Sequence, residues 1–166
     1  MKIGILSDTH GYLDQKLFTF FKDCDEIWHA GDIGNIDILQ RLEDFKPLKA
    51  VYGNIDGSEI RSYIPREQIL KRAEMDIYMI HIGGYPGKYE PEVQKQILTN
   101  PPDLLITGHS HILKVIQDKK RGFLHINPGS SGYQGFHKVR TAVRLDILNG
   151  RIQNLEIIEL GSRSIN

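Results

Sequence analysis

Ile3-Gly4-Ile5-Leu6-Ser7-Asp8-Thr9-His10-Gly11 begins as an apolar run and breaks into a polar cluster closed by glycine. The run is too short for a helix of its own, so it reads as a buried strand delivering Asp8 and His10 to a loop at its carboxyl end. In an α/β sheet that end is where ligands bind. A carboxylate and an imidazole two residues apart can turn towards one divalent cation. Taken alone, the pair reads more simply as a turn whose aspartate caps backbone N–H groups beside an unrelated histidine.

Repetition changes that reading. Residues 26–30 form a second strand-like run ending at Gly31-Asp32, and 48–52 a third ending at Gly53-Asn54-Ile55-Asp56. These three strands are expected to deliver their loops to one sheet edge. Residues 76–80 lead into His81-Ile82-Gly83-Gly84, and 103–107 end at Gly108-His109-Ser110-His111. Between them, Leu13, Leu17, Phe18, Phe20 and Phe21 recur at near-helical spacing, with the aromatics facing the core. A second helix is predicted over 36–45, closed by Pro47, and a third from Pro91 to about residue 98. Residues 67–72 and 76–80 would pair as a hairpin across Ala73-Glu74-Met75, and 85–89 reads as irregular. Beyond residue 112 the runs 112–118, 122–126, 139–148 and 151–159 are strand-like, with Asn149-Gly150 a hairpin turn. This carboxyl third is expected to be an antiparallel meander, with 161–166 fraying.

The 166 residues and 40% hydrophobic content suit a single domain spanning 1–166. Lys plus Arg and Asp plus Glu are equal at 21 each, so no cationic excess draws the chain to polyanions, and nucleic-acid binding is disfavoured. Cys24 is the only cysteine and cannot form an internal disulfide. No apolar run approaches membrane-spanning length, and no basic-apolar leader opens the chain, so a cytoplasmic setting without membrane contact is the expectation. Edge strands leave pairing with a second copy open.

The strand-end loops together supply Asp8, His10, Asp32, Asn54, His81, His109 and His111. That is more than one four- to six-coordinate cation needs, whereas two cations sharing a carboxylate would use them economically. A mixed nitrogen and oxygen set without thiolate suits Mn, Fe, Zn or Ni. Paired cations about 3.5–4 Å apart lower the pKa of a shared water and clamp the oxygens of a phosphoryl group. Phosphoester hydrolysis is the chemistry this pattern points to.

Asp8-x-His10, Gly31-Asp32, Gly53-Asn54-x-Asp56, His81 and Gly108-His109-x-His111, in that order, resemble the calcineurin-like metallophosphoesterases. Asn127-Pro128-Gly129-Ser130 resembles a further signature of their small prokaryotic phosphodiesterase branch. The resemblance implies an α/β fold in the form of a four-layer αββα sandwich of two packed mixed sheets. It implies two divalent ions, Mn²⁺ foremost, acting on a small phosphorylated substrate. Asp8, His10 and His111 would hold the first ion, Asn54, His81 and His109 the second, and Asp32 would bridge them. A hydroxide between the ions would attack in line. Asp32, Asn54 and His109 would serve catalysis directly, Asn54 by facing the phosphate. Asp56 would either orient a ligand histidine from behind or cap its own turn.

Two departures stand out. Many relatives place histidine where this chain has Ile55, and that histidine protonates the leaving oxygen. The segment after His81 also lacks a substrate-side histidine. Activated aryl esters and diesters are therefore expected to react better than alkyl monoesters. His29 and His125 read as core residues, and His137 is left outside the site. The alternatives are a phosphomonoesterase or nucleotide hydrolase and, from another class, a non-catalytic interaction scaffold of the same fold.

Overall fold

A computed structural model describes residues 1–164 of the chain. In order, the elements are β1 (Lys2–Leu6), α1 (Gln15–Phe20), β2 (Glu26–His29), α2 (Ile36–Phe45), β3 (Leu48–Ala50), α3 (Ser58–Tyr63), β4 (Glu67–Arg72), β5 (Met75–Ile80), β6 (Gly84–Tyr85), β7 (Lys88–Tyr89), α4 (Pro91–Thr99), β8 (Leu104–Ile106), β9 (Leu113–Asp118), β10 (Phe123–Pro128), β11 (Val139–Leu148) and β12 (Arg151–Ser162).

Two five-stranded mixed sheets form, in the orders β12-β11-β1-β2-β3 and β4-β5-β8-β10-β9. In the first, β1, β2 and β3 run parallel; in the second, β5, β8 and β10 do. Strand alternation sets the layers. Ile3 and Ile5 of β1 and Trp28 of β2 point between the sheets, against Ile77, Met79, Ile106 and Val143. On the opposite face, Leu6 and Ile27 meet Leu17, Phe21, Leu39 and Leu42 from α1, α2 and their flanks. Tyr78, Leu105 and Phe123 on the outer face of the second sheet bury Val93 and Ile97 of α4. The result is a four-layer αββα sandwich. Gly4 interrupts the apolar side of β1 because a Cβ there would lie 2.5 Å from the Phe21 ring.

Helix α2 forms where its sequence supports both end and face. The Asn35 side chain accepts from the Ile38 amide at 3.2 Å, a cap worth about 1 kcal/mol. Ile38, Leu39 and Leu42 then fall on the buried face. Among the described residues no helix is long and apolar enough to cross a membrane.

Four features differ from the sequence reading. Helix α3 has no counterpart in it, because Ile60 is its only fully buried residue and one apolar position makes no period. The stretch 84–89 forms a small antiparallel ribbon, β6 with β7. The meander divides: β9 and β10 join the second sheet, whereas β11 and β12 complete the first. Finally, β12 runs through Gly161 to Ser162, paired with β11, and the expected fraying at 165–166 lies outside the described residues. Asn149-Gly150 does make the expected tight turn, with φ of 50° and 67° and Leu148 paired to Arg151. Ala73-Glu74 turns equally tightly without either favoured residue, at φ of 44° and 70°.

Candidate metal centre

The carboxyl ends of β1, β2, β3, β5 and β8 meet where the two sheets adjoin, and their loops are tied to one another. The Asp8 amide donates to the Gly31 carbonyl at 2.9 Å, His10 to Asp32 at 3.0 Å, and Gly108 to His81 at 2.9 Å. The His109 amide crosses between sheets to Asp8 Oδ2 at 3.2 Å. Non-glycine residues with positive φ concentrate here: Asp8 (55°), His10 (48°), Asp32 (55°), His109 (68°) and His111 (57°). Left-handed backbone at such residues costs on the order of 1 kcal/mol each, and strain of this kind collects at functional sites. Gly53 is required for close approach, since a Cβ there would lie 2.0 Å from Asp32 Oδ1.

Two groups of donors converge. Asp8, His10, Asp32 and His111 bring one ligand atom each to within 4.8 Å of one another, and Asp32, His81 and His109 do the same. His111 Nε2 lies 3.1 Å from Asp8 Oδ1, and the Nε2 atoms of His10 and His111 approach to 3.3 Å. Asp32 belongs to both groups: its Oδ2 is 3.9 Å from His10 Nε2, and its Oδ1 is 3.2 Å from His81 Nε2. Asn54 stands exposed beside the second group, in the wall of a cavity that includes His81.

Each group contains a buried polar atom without a hydrogen-bond partner, Asp8 Oδ1 in one and His81 Nε2 in the other. Two further buried atoms of this kind, His125 Nδ1 and His137 Nδ1, lie outside the groups; what sets Asp8 Oδ1 and His81 Nε2 apart is that each sits among converging donors, where a bound cation would satisfy it. His81 Nδ1 donates to the Ala30 carbonyl at 2.7 Å, which leaves the Nε2 lone pair directed at the group. The donors, imidazole nitrogen and carboxylate oxygen, fit a borderline divalent cation. Electrostatics point the same way. Burial alone would raise the Asp32 carboxyl, but His81, the Ile55 amide and His10 together hold it below the usual range. Burial likewise pulls His81 down, yet Asp32 and Asp8 outweigh it and its imidazole is raised. For His10, burial prevails over Asp32 and Asp8 and lowers it.

Supporting residues explain how the loops stay in place. Asp56 meets backbone rather than a histidine: its carboxylate accepts from Ile33, Gly34 and Gly53 amides at 2.9, 2.9 and 2.7 Å. The expectation that it orients a ligand histidine is therefore corrected in favour of turn capping, because three amides of two ligand loops already occupy it. Ser130 Oγ donates to the Asp8 carbonyl and Ser131 Oγ to Ser7, each at 3.0 Å, while Asn127 Nδ2 donates to Gly108 at 2.7 Å. Behind them, Arg140 is buried against Asp14 at 2.8 Å and donates to the Leu160 carbonyl at 2.9 Å. Sequence reasoning singled out 127–130 but had no signal for Arg140, whose partners are distant in the chain.

The spare histidines resolve individually. His29 Nδ1 accepts from the Gly31 amide at 3.2 Å and its Nε2 donates to Thr9 Oγ1 at 3.0 Å, joining two ligand loops from below. His125 Nε2 meets Thr107 Oγ1 at 2.8 Å. Burial lowers both imidazoles to about 4. His137, left outside by the sequence, packs its ring 5.3 Å from that of His111 and donates from Nε2 to the Gly132 carbonyl at 3.1 Å. Ile55 is 47% exposed at the rim.

Residues 1–150 match the calcineurin-like phosphoesterase superfamily domain. A probable metallophosphoesterase from Methanothermobacter thermautotrophicus is 30% identical over 100% of this chain and 98% of its own length. A phosphodiesterase from Methanocaldococcus jannaschii is 29% identical over 78% of this chain and 83% of its own length. Among solved structures, an archaeal phosphodiesterase has the same fold, with a TM-score of 0.73 at 23% identity over 96% of this chain and 99% of that one. The chain belongs to the calcineurin-like metallophosphoesterase family.

Proposed function

We propose that the protein is a two-metal phosphodiesterase acting on a small phosphorylated substrate. Asp8, His10 and His111 would hold one divalent cation, His81, His109 and Asn54 the other, and Asp32 would be shared. The observation that carries this reading is the pair of orphaned buried atoms, Asp8 Oδ1 and His81 Nε2, one in each donor group around Asp32. Bound cations of this kind supply Lewis-acid activation of water and charge neutralisation at a phosphoryl group. The chain's own part is to fix the donors beforehand. The Asp32 carboxyl stays ionised, His81 is held in one tautomer by Ala30, and Asn54 stands at the open side, where its amide can donate to a phosphate oxygen. The phosphodiesterase relative supports diester over monoester chemistry. So does Ile55, which offers no proton to an alkoxide, a contribution commonly of about 10²–10⁴-fold.

The test is to strip the protein with chelator, restore Mn²⁺, Zn²⁺ or Ni²⁺ in turn, and follow an aryl phosphodiester beside its monoester. Metal-restored turnover with the diester preferred is the expected outcome. Preference for simple alkyl monophosphates would overturn the diesterase assignment. Absence of turnover with every cation would leave a non-catalytic scaffold of the same fold.

A further inference from the structure

A cavity of about 210 Å³ adjoins the second donor group, and its wall includes Asn54 and His81 together with Arg61, Arg66, Tyr52 and Ile82. Among the described residues no carboxylate lines it, although the chain as a whole carries as many acidic as basic side chains. Positive charge has therefore been gathered at one place, beside the residues of the candidate metal centre.

The two arginines are set differently. Arg61 is fixed: its Nε donates to the Asp56 carbonyl at 2.6 Å and its Nη2 to the Asn54 carbonyl at 3.2 Å, and its guanidinium carbon lies 4.8 Å from the Tyr52 ring centroid. Among the described residues Arg66 is paired only with Glu92 of α4, and both side chains are about half exposed, at 55% and 51%. Its other acidic neighbour, Glu67, is engaged by the Tyr78 hydroxyl. An exposed ion pair of this kind is weak and screened by salt, so an incoming anion displaces Glu92 readily.

We propose that this cavity receives a second phosphate of the substrate, so that the protein acts on small phosphoesters carrying two phosphate groups, one at the donor groups around Asp32 and one at Arg61 and Arg66. The inference rests on the phosphoesterase reading above and adds its substrate class. A planar guanidinium matches phosphate oxygens two at a time, which Arg66 can do once Glu92 is displaced, whereas Arg61, with Nε and Nη2 given to backbone carbonyls, contributes its charge and Nη1. The volume is below the roughly 300–1,000 Å³ of pockets for drug-sized ligands, so it suits a phosphate and the few atoms linking it to the scissile ester. Ile82 and Tyr52 give those linking atoms apolar contact.

Two measurements on the full chain test this, one independent of turnover. In the first, chelator-treated protein is titrated calorimetrically with adenosine 5′-monophosphate and with adenosine. The monophosphate should bind at least about tenfold more tightly, Arg66→Met should reduce that ratio below about threefold, and Arg66→Lys should restore part of it. In the second, the Mn²⁺-loaded protein is given a dinucleotide with and without a terminal 5′-phosphate. The phosphorylated form should have a kcat/KM at least about tenfold higher, chiefly through KM, with Arg66→Met removing the preference. Equal binding of the two adenosine compounds, or selectivity unchanged in both Arg66→Met and Arg61→Met, would overturn the subsite. If neither dinucleotide is cleaved while monophosphate selectivity holds and depends on Arg66, the anion site stands and the diesterase reading fails.

Discussion

The two donor groups that share Asp32 differ in enclosure. Around Asp8 every contributor is buried or nearly so, with side-chain exposures of 0% for Asp8, 8% for His10 and 13% for His111. Around His81 the second imidazole, His109, is exposed, and the group opens onto the arginine-lined cavity. An enclosed set resembles a structural metal site, whereas a set with an open position is where exchange and substrate entry occur. On the proposed reading, one carboxylate would join a holding half to a working half.

The largest expected effect comes from abolishing what the halves share. Asp32→Asn should lower diester turnover by more than about 10²-fold and reduce bound metal at both positions, while the melting temperature of the chelator-treated protein moves little. Metal analysis by mass spectrometry after dialysis reads this directly; wild-type metal content in the variant would separate the two halves.

A second test concerns the histidines beneath each half, His29 under Thr9 and His125 under Thr107. Their folded pKa values, about 4, lie below the unfolded value of about 6.5. Above pH 6.5 both states are neutral and nothing is gained or lost. Between about 6.5 and 4 the unfolded chain binds protons that the folded chain refuses, so stability falls as pH falls, by about 2 kcal/mol per histidine at pH 5. In chelator-treated protein, His125→Gln should reduce the pH 7 to pH 5 loss measured by urea unfolding by about 2 kcal/mol. An unchanged loss would mean that His125 does not remain neutral.

The enclosure difference itself is tested by His109→Ala and Asp8→Asn. His109→Ala should weaken one bound cation at least about tenfold and leave the other resistant to chelator, whereas Asp8→Asn should release the resistant one. Identical chelator profiles would erase the distinction between holding and working halves. The smallest effect is expected at the rim. Ile55→His should speed alkyl diesters several-fold, up to about tenfold, and change activated aryl diesters less than threefold, because only the poor leaving group needs a proton.

Much of the centre was legible before any fold was known. Asp8, His10, Asp32, His81, His109 and His111 each follow a short apolar run at a strand end, and glycine or a left-handed bend stops the strand just where a donor is required. Asp56 was legible only as a polar loop residue. Whether its carboxylate faced a histidine or the amides of Ile33, Gly34 and Gly53 depended on a loop more than 20 positions away. Helix α3 escaped notice because a single buried residue leaves no period, and with it went Arg61, which it carries, and Arg66 beyond its end.

The sequence by itself determined the strand-and-loop register of the donors, since alternation and chain breaking are local properties of a few neighbouring residues. Tertiary structure alone decided how those donors divide. His10 and His111, 101 positions apart, converge to 3.3 Å because the first and second sheets pack face to face, and the same packing sends β9–β10 and β11–β12 to different sheets. Which half is enclosed, which opens, and which arginines border the opening are set by layer packing between distant segments, and no local pattern encodes that.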